Sequence, residues 1–481
     1  MLFNSYAFIF CFLPLVFIVY FFLNRKKLTL AAKTWLTLSS FFFFGYWNPL
    51  YLPLIAGSIL FNYAVGSALL KFRKNSPLLL IGIIGNLGLL IYFKYMDFFI
   101  TSLNTLAVLN LPLLHIVLPI GISFFTFTQI AYLVDTYKGS AQEYRLINYA
   151  LFVTFFPHLL AGPIIHHKEI MPQFDYRRNK VLNYRHIAQG LSLFSLGLFK
   201  KVIIADTLAT WANNGFDYAT TLTFLEAWAT SLSFTLQLYF DFSGYTDMAL
   251  GSSLLFNIKL PINFNSPYKA LSVQDFWRRW HITLSRFMRD YVYIPLGGNR
   301  VSEPHILFNL FFTFLLVGLW HGAGWTFVVW GLLHGCALIL ERLWRKTHVN
   351  LPRLLSWFLT FNFVNAAWVF FRARTFTDAT KVLTGMCGMN GIVLPEKLSH
   401  TLSGLREWGV EFGLSLRNIE GDIKTPLMII VFLLLSILYK NSDEWVAGVK
   451  PNFLNLTIFC TVTLSSILYL SPYSEYLYFR F

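Results

Sequence analysis

The sequence predicts an all-α, polytopic membrane protein with about 11 to 13 hydrophobic segments, some of them broken or re-entrant. Composition is the first sign: of 481 residues, 56% are apolar, 19% aromatic and only 13% charged, and the mean hydropathy is +0.56. The second is the placing of basic clusters beside apolar runs, as in Arg25, Lys26 and Lys27 or Lys71, Arg73 and Lys74. The third is the uncharged run from Ile306 to Leu340, which as one helix would be roughly 52 Å long, against a hydrocarbon core of ~30 Å. One straight span is therefore excluded, and the run must break. The formal charge of +15 fits cytoplasmic loops and anionic headgroups, and no nucleic-acid reader module accompanies it. The bilayer is the expected partner, and nucleic acid is not.

In chain order, the N-terminal run has no charged n-region and no small-residue cleavage site, so it reads as a retained first span with its N-terminus outside. Asn48-Pro49 makes the outer turn of a hairpin. A short unit from Pro77 ends at Phe93, where Lys94 and Asp97 begin a polar break. Leu111 to Val134 carries Pro112, Pro119 and Gly121 and is expected to be a broken or re-entrant helix. Leu146 to Ile165 follows, with His166, His167 and Glu169 gathered at a surface. Ile187 to Phe199 runs into Lys200-Lys201, another basic edge. Ala227 to Phe240 and Met248 to Ile258 are two runs flanking Asp241 and Asp247, read as structural carboxylates that satisfy helix ends or arginines. Leu354 to Phe371, Thr425 to Tyr439 and Asn452 to Ser474 complete the spans. The chain divides into N-terminal helices (1–110), a core (111–345) and C-terminal helices (346–481), with an extramembrane loop at about 372–424. The four cysteines show no metal or redox spacing.

Two tryptophan-histidine pairs stand out, Trp280-His281 and Trp320-His321. Gly318, Gly322 and Gly324 supply the break in the long apolar run, which leaves His321 at a discontinuity within the membrane. A titratable group there is costly and marks a functional site by default. A neutral imidazole near pKa 6.5 can take a proton from a hydroxyl, as acyl transfer requires. Packing against a neighbouring carbonyl is the structural alternative, and it is the preferred reading for His334. His281 aligns the acyl donor, stabilises the oxyanion or merely caps an interface. From Val273 to Gly298 the pattern is a cationic amphipathic helix. Its Arg278, Arg279, Arg286 and Arg289, with Trp280, either snorkel at the lipid interface or grip the phosphates of a soluble donor. Asp275 lies one turn before the first two arginines. No GxSxG, P-loop or metal spacing occurs.

These residues also carry a resemblance. LPIGISFFTFTQIAYLVDTYKG, LFVTFFPHLLAGPI, GLFKKVIIADTLA, LQLYFDFSGYTDMALG, PINFNSPYKALSVQDFWRRWHITLSRFMRDYVYIPLGGNR and GLWHGAGWTFVVWGLLHG together resemble the membrane-bound O-acyltransferase (MBOAT) family, most of all its bacterial alginate O-acetylation branch. The opening MLFNSYAFIFCFLPL and the closing YLYFRF look similar as well. The resemblance implies the MBOAT fold around a central funnel, with an acyl donor entering from the cytoplasm and a hydroxyl acceptor from the other side. It implies that His321 of the Trp320-His321-Gly322 motif is the catalytic base and that His281 assists it. Family members often carry arginine after GPI, where this chain has Ile165-His166-His167.

The expected activity is transfer of acetyl from a cytoplasmic thioester, acetyl-CoA being the expected donor and no cofactor being permanently bound. The acceptor would be a hydroxyl of an exported or cell-wall polysaccharide, reached through an extracytoplasmic SGNH-like partner at the bacterial inner membrane. The alternatives are D-alanyl or other acyl transfer from a carrier protein to an envelope polymer and, in another class, a proton-coupled transporter or a secretion-complex scaffold.

Overall fold

The computed structural model describes residues 1–450, 452–471 and 476–477. Helices α1 (Ala7–Arg25), α2 (Thr29–Gly45), α3 (Pro49–Lys71) and α4 (Ser76–Ala107) come first. The turn before α3 is where Asn48-Pro49 was expected to place it, and the Asn48 side chain accepts the Leu50 amide at 3.0 Å. The polar break expected at Lys94 does not exist. The chain stays helical to Ala107 through a π-helical turn, Ile91–Tyr95, because Lys94 is used inside the protein and not in a loop.

Residues 108–119 are non-helical, and α5 (Ile122–Tyr137) then runs almost wholly buried. Pro112 and Pro119 fall in the non-helical half, so the expected break lies before Gly121, whose φ of +79° starts the helix. After α6 (Leu146–Thr154) and the short helix Phe156–Leu159, residues 160–166 form an irregular stretch that is nonetheless buried. Helix α7 (Tyr184–Tyr218) passes through Lys200-Lys201 without stopping. Those lysines are not a basic edge. Lys201 pairs with Asp241 (2.7 Å) and Asp206 (2.8 Å), and Lys200 pairs with Asp247 (2.7 Å). The two aspartates are structural as expected, but their partners are lysines of α7 and not arginines or helix ends.

Both aspartates belong to α8 (Phe224–Leu255), one helix where two runs were expected. Every residue from Ser233 to Leu255 is buried, which explains why the pattern has no polar face to mark continuity. Thr223 and Glu226 form a capping box at its start. It lies close along α7 through two glycine pairs, Gly190 with Gly251 and Gly197 with Gly244. A Cβ on Gly197 would run into the Gly244 carbonyl, and one on Gly251 into the Gly190 carbonyl.

The expected cationic helix after Val273 is broken at Trp280-His281 into α9 (Val273–Arg279) and α10 (Ile282–Met288). The expected stop follows, with Gly297 (φ +101°) and Gly298 (φ +54°) turning the chain. The long apolar run folds into a hairpin, α11 (Glu303–His321) and α12 (Trp325–Arg345). Gly322 and Gly324 make its break. Gly318 does not, since it stays helical and packs against Gly331, where a Cβ on either residue would meet the facing backbone. The open end of the hairpin is tied by Arg342 to Glu303 (2.9 and 3.1 Å) and by Lys346 to Glu303 (2.8 Å). His321 thus stands at the tip, ~27 Å along the helix from Glu303.

Helices α13 (Arg353–Arg372) and α14 (Phe376–Met386) follow. The segment expected as a loop with short helices also holds a parallel two-stranded sheet, β1 (Ile392–Pro395) and β2 (Val410–Gly413), in register Ile392 opposite Val410. Helices α15 (Lys424–Leu438) and α16 (Phe453–Leu468) end the fold. Ser474, where the last span was expected to end, and most of YLYFRF lie outside the described residues. All four cysteines are free. Among the described residues seven helices are long and apolar enough to cross a membrane, or eight if Lys424–Leu438 and Ser442–Gly448, bent by 63°, are one span. The larger expected figure counted half-spans and split α8 in two.

The close approach of α7 and α8 is open to test. Gly197→Ala should cost about 1–3 kcal/mol, because neither backbone can yield without opening the pair. Gly57→Ala, whose added Cβ meets nothing within 4 Å, should stay within about 0.5 kcal/mol of the parent. Thermal melting in detergent, read by fluorescence-detected size exclusion, compares them.

Candidate active site

The first histidine is placed by a backbone conformation that its neighbours hold. His281 has φ +42° and ψ +53°, a left-handed setting uncommon for a non-glycine residue. Asn263 on the preceding extended segment stabilises it. Its backbone carbonyl accepts the Ile282 amide (3.0 Å), and its Oδ1 accepts the Thr283 amide (3.2 Å) and hydroxyl (2.9 Å). The Thr283 amide can only donate, so the Asn263 amide orientation is defined. Oδ1 must then also accept from His281 Nδ1, 3.1 Å away, which puts the proton on Nδ1 and the lone pair on Nε2. Burial pushes the His281 pKa down to about 3, so the ring is neutral at physiological pH.

His321 comes from the tip of the α11–α12 hairpin and is 3% exposed. Its ring centroid lies 6.3 Å from that of His281, 4.9 Å from Trp320, 5.0 Å from Trp330 and 5.1 Å from Phe371. Two histidines 40 positions apart in the chain are thereby brought into one aromatic chamber. His321 lines a cavity of about 60 Å³ together with Lys94, Gly121, Ser123 and Phe124. A second cavity, of about 240 Å³, adjoins Gly322 and Ala323 and is bounded by Lys94, Asp97 and Ile116. His334 has the packing role expected of it, Trp277 Nε1 donating to its Nδ1 at 3.2 Å.

The cationic residues do not gather around this chamber. Arg279 is bonded to Asp275 (2.9 Å), Arg286 in bidentate fashion to Glu169 (2.9 and 3.0 Å) and Arg289 to its neighbour Asp290 (2.7 and 3.3 Å). Arg278 is exposed. Trp280, 2% exposed, stacks on Phe276 and meets Trp368 at 4.9 Å, so it packs in the core and not at headgroup level. Its amide still bonds to the Phe276 carbonyl (2.8 Å), one turn back, so it shares the buried face of Phe276.

His166 and His167, expected at a surface, are buried. Tyr291 donates to Asp135 (2.9 Å) and contacts His166 Nδ1 (2.9 Å), and His167 Nε2 lies 3.3 Å from Glu143. Among the described residues no cluster of three or more side chains could hold a metal. The same region ties the two halves of the site together, since the Ile164 amide donates to Thr283 Oγ1 at 3.1 Å.

Two residues escaped the sequence reading. Asn263 gave no signal apart from its place in PINFN, because its role depends on a left-handed residue 18 positions later. Lys94 gave one that was passed over: the apolar pattern resumes after Asp97, which a span end would not show.

The profile described as MBOAT, membrane-bound O-acyltransferase family, matches residues 10–374. The chain is 48% identical to a peptidoglycan O-acetyltransferase of Helicobacter pylori, over 100% of this chain and 98% of the relative. It is 41% identical to a probable alginate O-acetylase of Pseudomonas aeruginosa, over 84% of this chain and 78% of that protein. A teichoic acid D-alanyltransferase of Bacillus subtilis is 29% identical over 53% of this chain and 69% of its own. With the motifs of both histidines inside the matched residues, the chain belongs to the membrane-bound O-acyltransferase family and is a multi-pass membrane acyltransferase.

Proposed function

We propose that this chain moves an acetyl group from acetyl-CoA, bound from the cytoplasm, to a hydroxyl acceptor at the outer face of a bacterial inner membrane, for O-acetylation of an exported or cell-wall polysaccharide. The observation that carries the reading is the pair of buried imidazoles 6.3 Å apart, one of them on a cavity. Relatives similar over most of their length are named for acetylation of peptidoglycan and of alginate, which supports acetyl over D-alanyl as the group moved. An extracytoplasmic SGNH-like protein receives the acetyl before the polymer does, and the N-terminus lies on that outer side.

The chemistry needs little. His321 takes the proton of the attacking hydroxyl as its oxygen bonds to the thioester carbon. The tetrahedral intermediate then expels the thiolate, the carbon–sulfur bond breaks, and the imidazolium returns the proton to sulfur. His281, neutral and held by Asn263, lines up the acyl group beside it. The rings around His321 are aromatic, which favours this over a proton relay, since a relay needs acidic partners at the same depth.

His321→Ala should fold and insert normally but lose transfer by about 10²–10⁴-fold, the usual contribution of a positioned base; acetylation at the parent rate would reject the assignment. His281→Gly keeps the left-handed backbone without strain but leaves a cavity where the buried ring stood, so it should melt lower than the parent by an amount set by that cavity, while transfer falls far more than the folded fraction does. A variant that stays active would return His281 to a structural role. If Arg278 and Arg279 guide the donor, replacing both with alanine should raise the acetyl-CoA KM several-fold at low salt. The gap should close at about 1 M salt, where charges beyond ~3 Å are screened. An unchanged KM at low salt would leave those arginines to the lipid interface.

A further inference from the structure

Helix α11 stops at His321 in buried surroundings, so the carbonyls of its last turn, Gly318 to His321, need partners from outside the helix or from the residues just after it. The Gly322 amide reaches the Gly318 carbonyl at 3.5 Å. Two consecutive residues of α4 serve the other three. The Tyr95 hydroxyl donates to the Leu319 carbonyl at 2.6 Å. The Lys94 ammonium donates to the Trp320 carbonyl at 2.7 Å and to the His321 carbonyl at 3.0 Å.

Local structure makes this possible. Consecutive residues of an α-helix point about 100° apart, whereas a π-helical turn holds more residues per turn and narrows that angle. Lys94 and Tyr95 close the π-helical turn Ile91–Tyr95. The ammonium sits at the negative end of the α11 dipole, where a cation is favoured, and 6.0 Å from the centre of the Trp320 ring. Asp97, the nearest carboxylate in sequence, is occupied by the amides of Leu114 and Ile116. A charge inside a membrane protein is costly, and a neutral hydroxyl would serve a single carbonyl. What the lysine adds is two bonds donated from one Nζ to adjacent peptide carbonyls. It also stands in the wall common to the 60 and 240 Å³ cavities.

We propose that Lys94 is a positioning residue of the transfer reaction: by clamping the Trp320 and His321 carbonyls it fixes where the His321 ring stands between the two cavities. The proposal rests on His321 being the base. With the purified full chain, Lys94→Met should lower kcat about 100-fold, the scale of loss for a catalytic group displaced by about 1 Å. The acetyl-CoA KM should stay within about twofold, because uniform binding is untouched. Lys94→Arg, which keeps charge and donors, should recover to within about tenfold of the parent. A parent-like kcat in Lys94→Met, or a change confined to KM, overturns the proposal. Tyr95→Phe removes one hydroxyl from the same clamp and should lower kcat about threefold or more, on the order of a lost net hydrogen bond. It decides the matter if Lys94→Met does not fold, and a parent-like kcat in it counts against the clamp.

A readout independent of turnover is diethyl pyrocarbonate labelling followed by mass spectrometry. In Lys94→Met, His321 should label about fivefold faster, as its local opening becomes easier by about 1 kcal/mol. The equally buried His281 should not change. Equal acceleration at both histidines means general loosening and overturns the proposal. If the parent protein does not turn over acetyl-CoA, the donor assignment fails, and the labelling ratio still decides the role of Lys94.

Discussion

A helix that ends in apolar surroundings must find donors for its last carbonyls or it will not end there. Helix α11 terminates at His321 under that constraint. The Gly322 amide, the Tyr95 hydroxyl and the Lys94 ammonium meet it, and in doing so they join the hairpin that carries His321 to α4, more than 220 positions earlier in the chain. The unbroken run of α4 through a lysine, the π-helical turn within it and the two cavities beside it all meet at that junction.

The same accounting governs the other half of the chamber. Breaking the chain between α9 and α10 frees backbone groups that Asn263 takes up, its carbonyl for Ile282 and its side chain for Thr283 and His281. One asparagine therefore pays for the left-handed residue and selects the imidazole tautomer. The rings of Trp320, Trp330 and Phe371 pack around His321, and Trp320 also meets His281 at 5.8 Å, so the two histidines share apolar, aromatic surroundings.

Elsewhere the buried charges are matched with partners, most of them on a facing helix. Lys201 faces Asp241 and Asp206, Lys200 faces Asp247, and Arg372 bonds to Asp217 and Asn213. Such pairs are weak evidence for stability, because desolvation offsets much of the attraction. They do fix register: α7 can slide along α8 only by breaking two ion pairs and two glycine contacts together.

Much of this was legible in one dimension. The membrane class follows from composition, a break in the long apolar run from its length, and the candidate base from a histidine next to glycines in that run. The family resemblance was carried by motifs that can be read residue by residue. What periodicity could not register is any contact whose two halves lie far apart in the chain. The sequence shows that Lys94 is charged but not that two carbonyls await it. It shows four arginines in a row of turns but not that three are already occupied by carboxylates, or that a left-handed His281 divides their helix. A helix buried on every side has no polar stripe, so α8 looked like two runs. Local chemistry thus determined which residues could act, and tertiary packing decided which of them meet.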